Sequence, residues 1–210
     1  MRRSRSVTVA VLICLALAGC STQPEPKKEV VAPKPPNPLG VPDVYKVKFV
    51  TSKGPFVVEV HREWAPRGAD RFYQLVKAGY YNEARFFRVV PKFVAQFGLA
   101  ARPAMTKEWD KTIDDDPVGH TNSRGTIAFA TVGRNSRTTQ VFINLYSNQT
   151  LDDKGFAAFG RVVEGMEEVV DKLYSKYGEA PEQDSITKRG NSYLKSSFPR
   201  LDYIKTAAIL

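Results

Sequence analysis

Alternating apolar and polar residues recur along the chain and predict a sheet. Residues 45–50 and 56–60 alternate in this way, and the sequence SKGP at 52–55 separates them, a pattern typical of a β-hairpin. Short segments rich in β-branched and aromatic residues predict four further strands, at 126–130, 140–143, 157–163 and 201–210.

Another pair of strands is predicted at residues 86–98, which read FFRVVPKFVAQFG. Two apolar runs flank Pro91 and Lys92, so we expect two strands joined by a tight turn. Successive side chains of a strand point to opposite faces. Strict alternation therefore places Phe86, Arg88 and Val90 on one face of the first strand. It places Phe87 and Val89 on the opposite face.

Arg88, the charged residue of that first run, has two interpretations. An arginine at a barrel end can pack its stem against apolar neighbours and keep its guanidinium in water. Alternatively, a guanidinium fixed beside an apolar pocket can donate hydrogen bonds to a bound substrate. The local pattern does not distinguish these two interpretations.

Helical spacing of apolar residues predicts two helices. The first begins at Pro66, continues to about residue 78 and is ended by Gly79, whereas the second follows Gly165 and is ended by Gly178. Residues 99–122 and 178–199 are polar and predict loops. The expected buried faces are Ala69, Phe72, Leu75 and Val76 in the first helix and Met166, Val169, Val170, Leu173, Tyr174 and Tyr177 in the second.

The composition, 42% hydrophobic and 11% aromatic, is that of one globular domain. The formal charge is +9, but no basic run has interleaved aromatic residues, so nucleic-acid binding is not expected. The acidic triplet at 114–116 predicts a solvated loop or a helix start, because carboxylates adjacent in sequence point in different directions. His61 and His120 lack ligand spacing, and we expect neither a metal nor a cofactor.

The first twenty residues have the order of an export signal. Three arginines precede an apolar run at 7–19 that is too short for a comfortable transmembrane helix. The sequence LAGC at 17–20 resembles the lipobox of bacterial lipoproteins, in which the cysteine is acylated and becomes the first residue of the mature chain. The alternative is an ordinary cleaved signal with a chance cysteine at position 20.

These features predict a lipoprotein signal at 1–19, a lipidated Cys20 with a proline-rich tether at 20–43, and a folded domain at 44–210. Frequent prolines favour an extended tether that holds the domain off a membrane, although a proline-rich ligand for another protein is an alternative. By the same resemblance to bacterial lipoproteins, Ser21 after the cysteine implies the outer membrane, if the cell has one. Because Cys14 would leave with the signal, no disulfide is expected.

Several ordered motifs between residues 47 and 173 resemble the cyclophilin family of peptidyl-prolyl isomerases. Residues 86–98 are similar to the family pattern Phe-His-Arg-Val-(Ile/Val)-Pro-x-Phe-x-x-Gln-Gly-Gly, and SRGTIAFA, QVFI and AAFGRVV resemble later family segments. The resemblance implies a mainly β fold, a closed eight-stranded antiparallel barrel capped by two α-helices. It also implies cis–trans isomerisation of X-Pro bonds in proline-containing polypeptides.

The family's functional residues carry over by position. The resemblance implies that Arg88, Phe93 and Gln96 are catalytic. Simple alternation would place Phe93 and Gln96 on opposite faces, so the implied site requires a twist or bulge near Pro91 and Lys92. The implied substrate-binding residues are Val94, Ala130, Thr131, Gln140, Phe142, Leu151 and Phe156.

The sequence also departs from the family pattern. Phe87 replaces the usual His, and QFGL at 96–99 replaces Gln-Gly-Gly-Asp, so a differently shaped groove floor is expected. Phe156 stands where the family often has His. Eukaryotic members carry a tryptophan near the residue that matches Leu151, but here Thr150 precedes Leu151 and the tryptophan has no counterpart. By the resemblance, the loss of this tryptophan implies weak cyclosporin binding.

Two functions from different classes are compatible with these residues. One is an isomerase that assists the folding of exported proteins as a monomer, lipid-anchored at the periplasmic face of the bacterial envelope. The other is a non-catalytic, envelope-tethered module that holds Pro-containing segments. Retention of Arg88, Phe93, Gln96 and Phe142 together favours the enzyme, because a scaffold does not need this combination.

Overall fold

The computed structural model describes residues 36–210, which fold around one antiparallel sheet of eight strands. The strands are β1 (Val44–Thr51), β2 (Pro55–His61), β3 (Arg88–Val90), β4 (Val94–Phe97), β5 (Thr126–Phe129), β6 (Val141–Asn144), β7 (Ala158–Glu164) and β8 (Ile204–Ile209). They lie in the order β3-β4-β6-β5-β7-β2-β1-β8. The α-helices are α1 (Pro66–Lys77), α2 (Pro103–Glu108), α3 (Gln183–Arg189) and α4 (Asn191–Ser197), and 3₁₀ turns occur at Gln149–Leu151 and Val170–Lys172.

The two edges of the sheet, β3 and β8, meet through a short bridge. Arg85 and Tyr203 form an isolated antiparallel bridge, and the amide of Phe86 donates a hydrogen bond of 3.0 Å to the carbonyl oxygen of Asp202. The sheet therefore curls on itself, and the amide of Glu83 adds a further closing hydrogen bond of 2.7 Å to the carbonyl oxygen of Ile204. The expected mainly β fold with eight antiparallel strands is confirmed.

The interior of the curled sheet is filled by aromatic and β-branched side chains. The rings of Phe49 and Phe56 stack with centroids 4.8 Å apart, and α1 covers one opening with Phe72, which lies 4.9 Å from Phe159. The predicted first helix and its buried face are confirmed, because Ala69, Phe72, Leu75 and Val76 are all buried. Burying these rings is the main contribution to the stability of the fold.

The acidic triplet at 114–116 was expected to be a solvated loop or a helix start. This expectation is wrong for Asp116, which is buried. The side chain of Asp116 is buried and accepts hydrogen bonds from the backbone amides of Arg67 (3.0 Å) and Gly68 (2.8 Å), at the beginning of α1. It also pairs with Arg137 Nη1 at 3.1 Å. Asp116 thus satisfies amides that no helical carbonyl can reach, and its charge complements the helix dipole.

The prediction of a second long helix at 166–177 is wrong. The chain forms turns and one 3₁₀ segment, Val170–Lys172, and Leu173 is already extended with φ −59° and ψ 140°. Asp202 Oδ2 accepts a 2.7 Å hydrogen bond from the amide of Tyr174, which directs the chain away from a helical path. The apolar residues predicted for this helix face contact two different clusters. Val169, Val170 and Leu173 are buried in the main core, whereas Tyr177 packs against a separate cluster that contains Phe87 and Leu99.

The polar segment 99–122, predicted as a loop, contains α2. The polar segment 178–199, also predicted as a loop, contains α3 and α4. Each helix has only seven residues, too short for a helical period to be visible in the sequence. The two helices are stabilised by tertiary packing around a second apolar cluster, separate from the main core. This second cluster comprises Phe87, Leu99, Ile186, Tyr193, Leu194 and Leu201.

Strict alternation at 86–90 also fails at its first residue. Phe86 lies in the main core together with Val89, not on the face of Arg88. The reason is that β3 begins only at Arg88, so Phe86 precedes the pleated strand and its direction is set by the bridge to β8. Phe87 and Val89 likewise diverge, because Phe87 belongs to the second apolar cluster.

Residues 36–43 pack against the domain. Val41 is buried, and the Asn37 side chain both donates to the carbonyl oxygen and accepts from the amide of Val41. Within residues 36–210 no helix has the length and apolarity needed to cross a bilayer. The predicted signal, Cys20 and most of the predicted tether lie outside the described residues.

Candidate active site

A cavity of about 430 Å³ opens on the outer face of the sheet beside β3, β4 and β6. All ten groove residues that the family resemblance implied line it. They are Arg88, Phe93, Val94, Gln96, Ala130, Thr131, Gln140, Phe142, Leu151 and Phe156. The structure therefore brings these positions together, although they are spread over about seventy residues of sequence.

The turn between β3 and β4 explains how Phe93 and Gln96 reach the same cavity. Pro91 is followed by Lys92 with φ +60°, and the Phe93 amide donates to the carbonyl oxygen of Val90 at 3.0 Å. Proline followed by a residue of positive φ is the arrangement of a type II turn. Phe93 thus belongs to the turn and not to the alternating strand, so the twist that the site required is supplied by this turn.

Polar side chains form a chain across the floor of the cavity. Gln96 lies opposite Arg88 in the β3–β4 pairing, and its Oε1 accepts a hydrogen bond of 3.3 Å from Arg88 Nη1. Gln96 Nε2 in turn donates to Gln140 Oε1 at 2.9 Å. Because Gln96 is only 6% exposed, its amide has a defined orientation.

The guanidinium of Arg88 lies beside an aromatic ring and not free in water. Its Cζ is 5.3 Å from the centroid of Phe93, and the side chain is 24% exposed. Of the two interpretations of Arg88, the structure therefore agrees with a guanidinium fixed beside an apolar pocket. Its N–H groups can donate to a ligand in that pocket.

The apolar pocket is a cluster distinct from the main core. Val94, Ala128, Phe142 and Leu151 are buried, and Phe93, Ala130 and Phe156 complete the walls. The rings of Phe142 and Phe156 meet edge to face at 5.6 Å. Such a slot of aromatic and aliphatic side chains suits a small apolar ring better than a charged group.

A network of buried asparagines holds the wall that carries Leu151 and Phe156. Asn122 Nδ2 donates to Asp152 Oδ1 and to the carbonyl oxygen of Phe156, both at 2.7 Å, and Asn122 Oδ1 accepts from Asn144 Nδ2 at 3.0 Å. Asn148 Nδ2 joins the network by donating to Asn144 Oδ1 at 2.7 Å. Satisfied buried amides of this kind rigidify the loop they connect.

Two buried tyrosines support the opposite wall. Tyr80 Oη donates to the carbonyl oxygen of Gly98 at 3.2 Å, and Tyr81 Oη donates to that of Thr139 at 3.1 Å. Burial raises the pKa of both phenols, so they remain protonated donors at neutral pH. A Cβ at Gly98 would lie 2.5 Å from the Thr139 carbonyl oxygen, so glycine permits this close approach beside Gln140.

The cavity also includes residues that the sequence did not single out. They are Asp110, Thr112, Val132, Ser136, Thr138 and Gln183. Most of them lie in polar loops with no periodic pattern, and Gln183 comes from the segment that was predicted to be a loop. Glu179, which contacts Arg88, was missed for the same reason.

Most of the residues that differ from the cyclophilin family pattern lie outside the cavity. Phe97 belongs to the main core, and Phe87 and Leu99 belong to the second apolar cluster. Phe87, Phe97 and Leu99 do not themselves line the cavity, and the differently shaped groove floor expected from Phe87 and QFGL stays a prediction. In the described part of the chain, no group of three or more His, Cys, Asp or Glu side chains could hold a metal ion, and His61 and His120 stack on the two faces of Trp64.

Residues 46–191 match the family described as cyclophilin type peptidyl-prolyl cis-trans isomerase, so the chain belongs to this family. It is accordingly a peptidyl-prolyl cis-trans isomerase.

Two kinds of relative accompany this match. A peptidyl-prolyl cis-trans isomerase of Acinetobacter baylyi is 37% identical over 133 residues, which cover 60% of this chain and 70% of that protein. One of Schizosaccharomyces pombe is 36% identical over 125 residues, covering 57% and 79%. A crystal structure of a cyclophilin type isomerase from Cryptosporidium parvum agrees in fold, with a TM-score of 0.60, 21% identity, and coverage of 80% of this chain and 98% of that one.

Proposed function

We propose that this isomerase acts on exported proteins from a membrane surface, to which a lipid on Cys20 anchors it. We further propose that Arg88 is its main catalytic residue. The observation that carries the catalytic part is the position of the Arg88 guanidinium, which lies against the Phe93 ring and donates to Gln96 at the mouth of the apolar pocket. The anchor is supported by the LAGC sequence at 17–20.

The reaction changes no covalent bond. Rotation about an X-Pro peptide bond meets a barrier of about 20 kcal/mol, because the nitrogen lone pair is shared with the carbonyl group. An apolar slot formed by Phe93, Phe142 and Leu151 can hold the pyrrolidine ring, while Gln96 and Gln140 bind the peptide backbone. Holding both sides of the bond positions it for rotation.

Arg88 then acts at the twisted state. When the bond is twisted, the prolyl nitrogen loses conjugation and its lone pair becomes available as a hydrogen-bond acceptor. A guanidinium N–H can donate to that nitrogen in the twisted state but not in the planar ground state. This difference stabilises the transition state selectively and lowers the barrier.

The catalytic role is tested by Arg88→Ala in an assay of proline-peptide isomerisation. We expect kcat/KM to fall about a hundredfold or more, because one preorganised donor contributes on this scale. Arg161→Ala is the matched control, since Arg161 is an exposed arginine that does not line the cavity. Unchanged activity of Arg88→Ala with a normal fold would show that the proposed mechanism is wrong.

The anchor is tested with the full chain in a bacterial host. Membrane fractionation should place the protein with the membranes, and globomycin should block processing at Cys20. The Cys20→Ala protein should instead be soluble, and light scattering of this form should report a monomer. Fractionation of the Cys20→Ala protein with the membranes would contradict the lipid anchor.

A further inference from the structure

The segment 178–199 packs on two residues that depart from the family signature. Phe87 and Leu99 are buried in the second apolar cluster with Ile186, Tyr193 and Leu194. The segment is also tied to the edge strand β3, because the amide of Val89 donates to the carbonyl oxygen of Gly178 at 3.3 Å. The beginning of the segment is therefore held immediately beside Arg88.

The next residue of the segment, Glu179, contacts the guanidinium directly. Its Oε1 accepts a hydrogen bond from Arg88 Nε at 2.6 Å and lies 2.5 Å from Arg88 Nη2 in the same ion pair. Charge-assisted hydrogen bonds of this length are the strong class. Together with Gln96 and Gln140, they extend the polar chain of the cavity floor to the segment 178–199.

Few other contacts orient Arg88. The hydrogen bond from Nη1 to Gln96 is 3.3 Å long, and the ring of Phe93 restrains only the plane of the guanidinium. An arginine side chain has considerable rotamer freedom when its head group is not held. Glu179 accepts from Nε and Gln96 accepts from Nη1, so N–H groups of Nη1 and Nη2 remain for a substrate.

We propose that Glu179 is a positioning residue for the isomerisation. It fixes the Arg88 guanidinium against Phe93, so that the remaining N–H groups face the proline pocket before the substrate binds. The segment 178–199 packs on Phe87 and Leu99 and thereby holds this carboxylate beside Arg88. This inference rests on the catalytic role proposed for Arg88.

The experiment compares Glu179→Ala and Glu179→Gln with the unchanged chain. We expect Glu179→Ala to lower kcat about three- to tenfold with KM changed less than about twofold, because orientation is lost while the pocket persists. Glu179→Gln keeps an acceptor oxygen and should retain an intermediate kcat. The Glu179 side chain is 63% exposed, so neither change should unfold the protein.

A spectroscopic measurement separates positioning from a general structural effect. The Nε–Hε resonance of Arg88 should show an ordered group in the unchanged chain and a mobile one in Glu179→Ala. Asp184→Asn removes an exposed carboxylate from the same segment and should leave kcat and this resonance unchanged. A similar effect of Asp184→Asn would overturn the inference.

Three other results would also overturn it: an unchanged kcat in Glu179→Ala, an increased kcat, or an altered KM alone. Arg88→Ala is measured in parallel to identify which proposal fails. If Arg88→Ala loses activity and Glu179→Ala does not, only the role of Glu179 is wrong. If Arg88→Ala is itself active, the catalytic role of Arg88 is wrong.

Discussion

The guanidinium of Arg88 lies with its Cζ 5.3 Å from the ring centroid of Phe93, and both residues line the same cavity. This contact joins the charged and the apolar halves of the site. It forms because Phe93 leaves the strand alternation at the turn after Pro91.

Arg88→Lys keeps the positive charge but removes the planar fork that contacts Gln96 and Glu179 together. Arginine and lysine are not equivalent at such a site. We expect kcat/KM to fall about tenfold or more, because a lysine ammonium has no planar group to rest on the Phe93 ring. An isomerisation assay measures this, and activity equal to that of the unchanged chain would indicate that charge alone suffices.

Asn122→Ala should destabilise the fold and loosen the pocket. The change removes three side-chain hydrogen bonds and takes the amide partner from the carbonyl oxygen of Phe156. Asn144 Nδ2 keeps Thr126 Oγ1 at 2.9 Å, and Asp152 Oδ1 keeps the backbone amide of residue 122 at 2.8 Å. We expect a loss of about 1–3 kcal/mol in the free energy of unfolding, measured by urea denaturation. KM should rise as well, because the wall with Phe156 is less ordered, and a wild-type KM would show that the network serves stability alone.

Asp116→Ala should be strongly destabilising, whereas Asp114→Ala in the same triplet should not. Asp116 is buried against Arg137 and the first amides of α1, so its removal leaves a buried guanidinium without this partner. Breaking a buried pair typically costs about 3–5 kcal/mol, and an exposed substitution about 0.5 kcal/mol or less. Equal unfolding free energies for the two variants would contradict the buried role of Asp116.

His120 should make stability depend on pH. Burial lowers the pKa of His120 below its ordinary value of 6.5, His61 lowers it further, and Glu63 opposes them. Because the folded pKa is lower, the unfolded state binds more protons as the pH falls below about 6.5, and stability is lost in that direction. Above that pH the contribution is complete.

The measurement is urea unfolding at about pH 5 and about pH 7.5. His120→Phe keeps an aromatic ring on Trp64, which stacks on His120 at 3.9 Å, but it does not titrate. We expect the difference in unfolding free energy between the two pH values to be smaller in this variant. An identical difference would assign the pH dependence to other groups.

Much of the fold could be predicted because its signals are local. Composition rich in β-branched and aromatic residues predicted strands at 126–130 and 140–143, and the structure has them at 126–129 and 141–144. Alternation located the β1–β2 hairpin, and helical spacing located α1. The same reasoning failed at 166–177, where the apolar stripe is divided between two clusters. It also failed at 178–199, whose short helices are stabilised only by the surface on which they pack.

The sequence by itself determined which residues form strands, which helix covers the sheet, and which side chains the cyclophilin resemblance assigns to the groove. Periodicity and motif spacing are properties of neighbouring residues, so they can be read along the chain. The tertiary structure decided that Glu179 contacts Arg88 across 91 positions and that Asp116 is buried at the beginning of α1. These contacts depend on how several elements pack at once, and that packing free energy is not contained in any one segment.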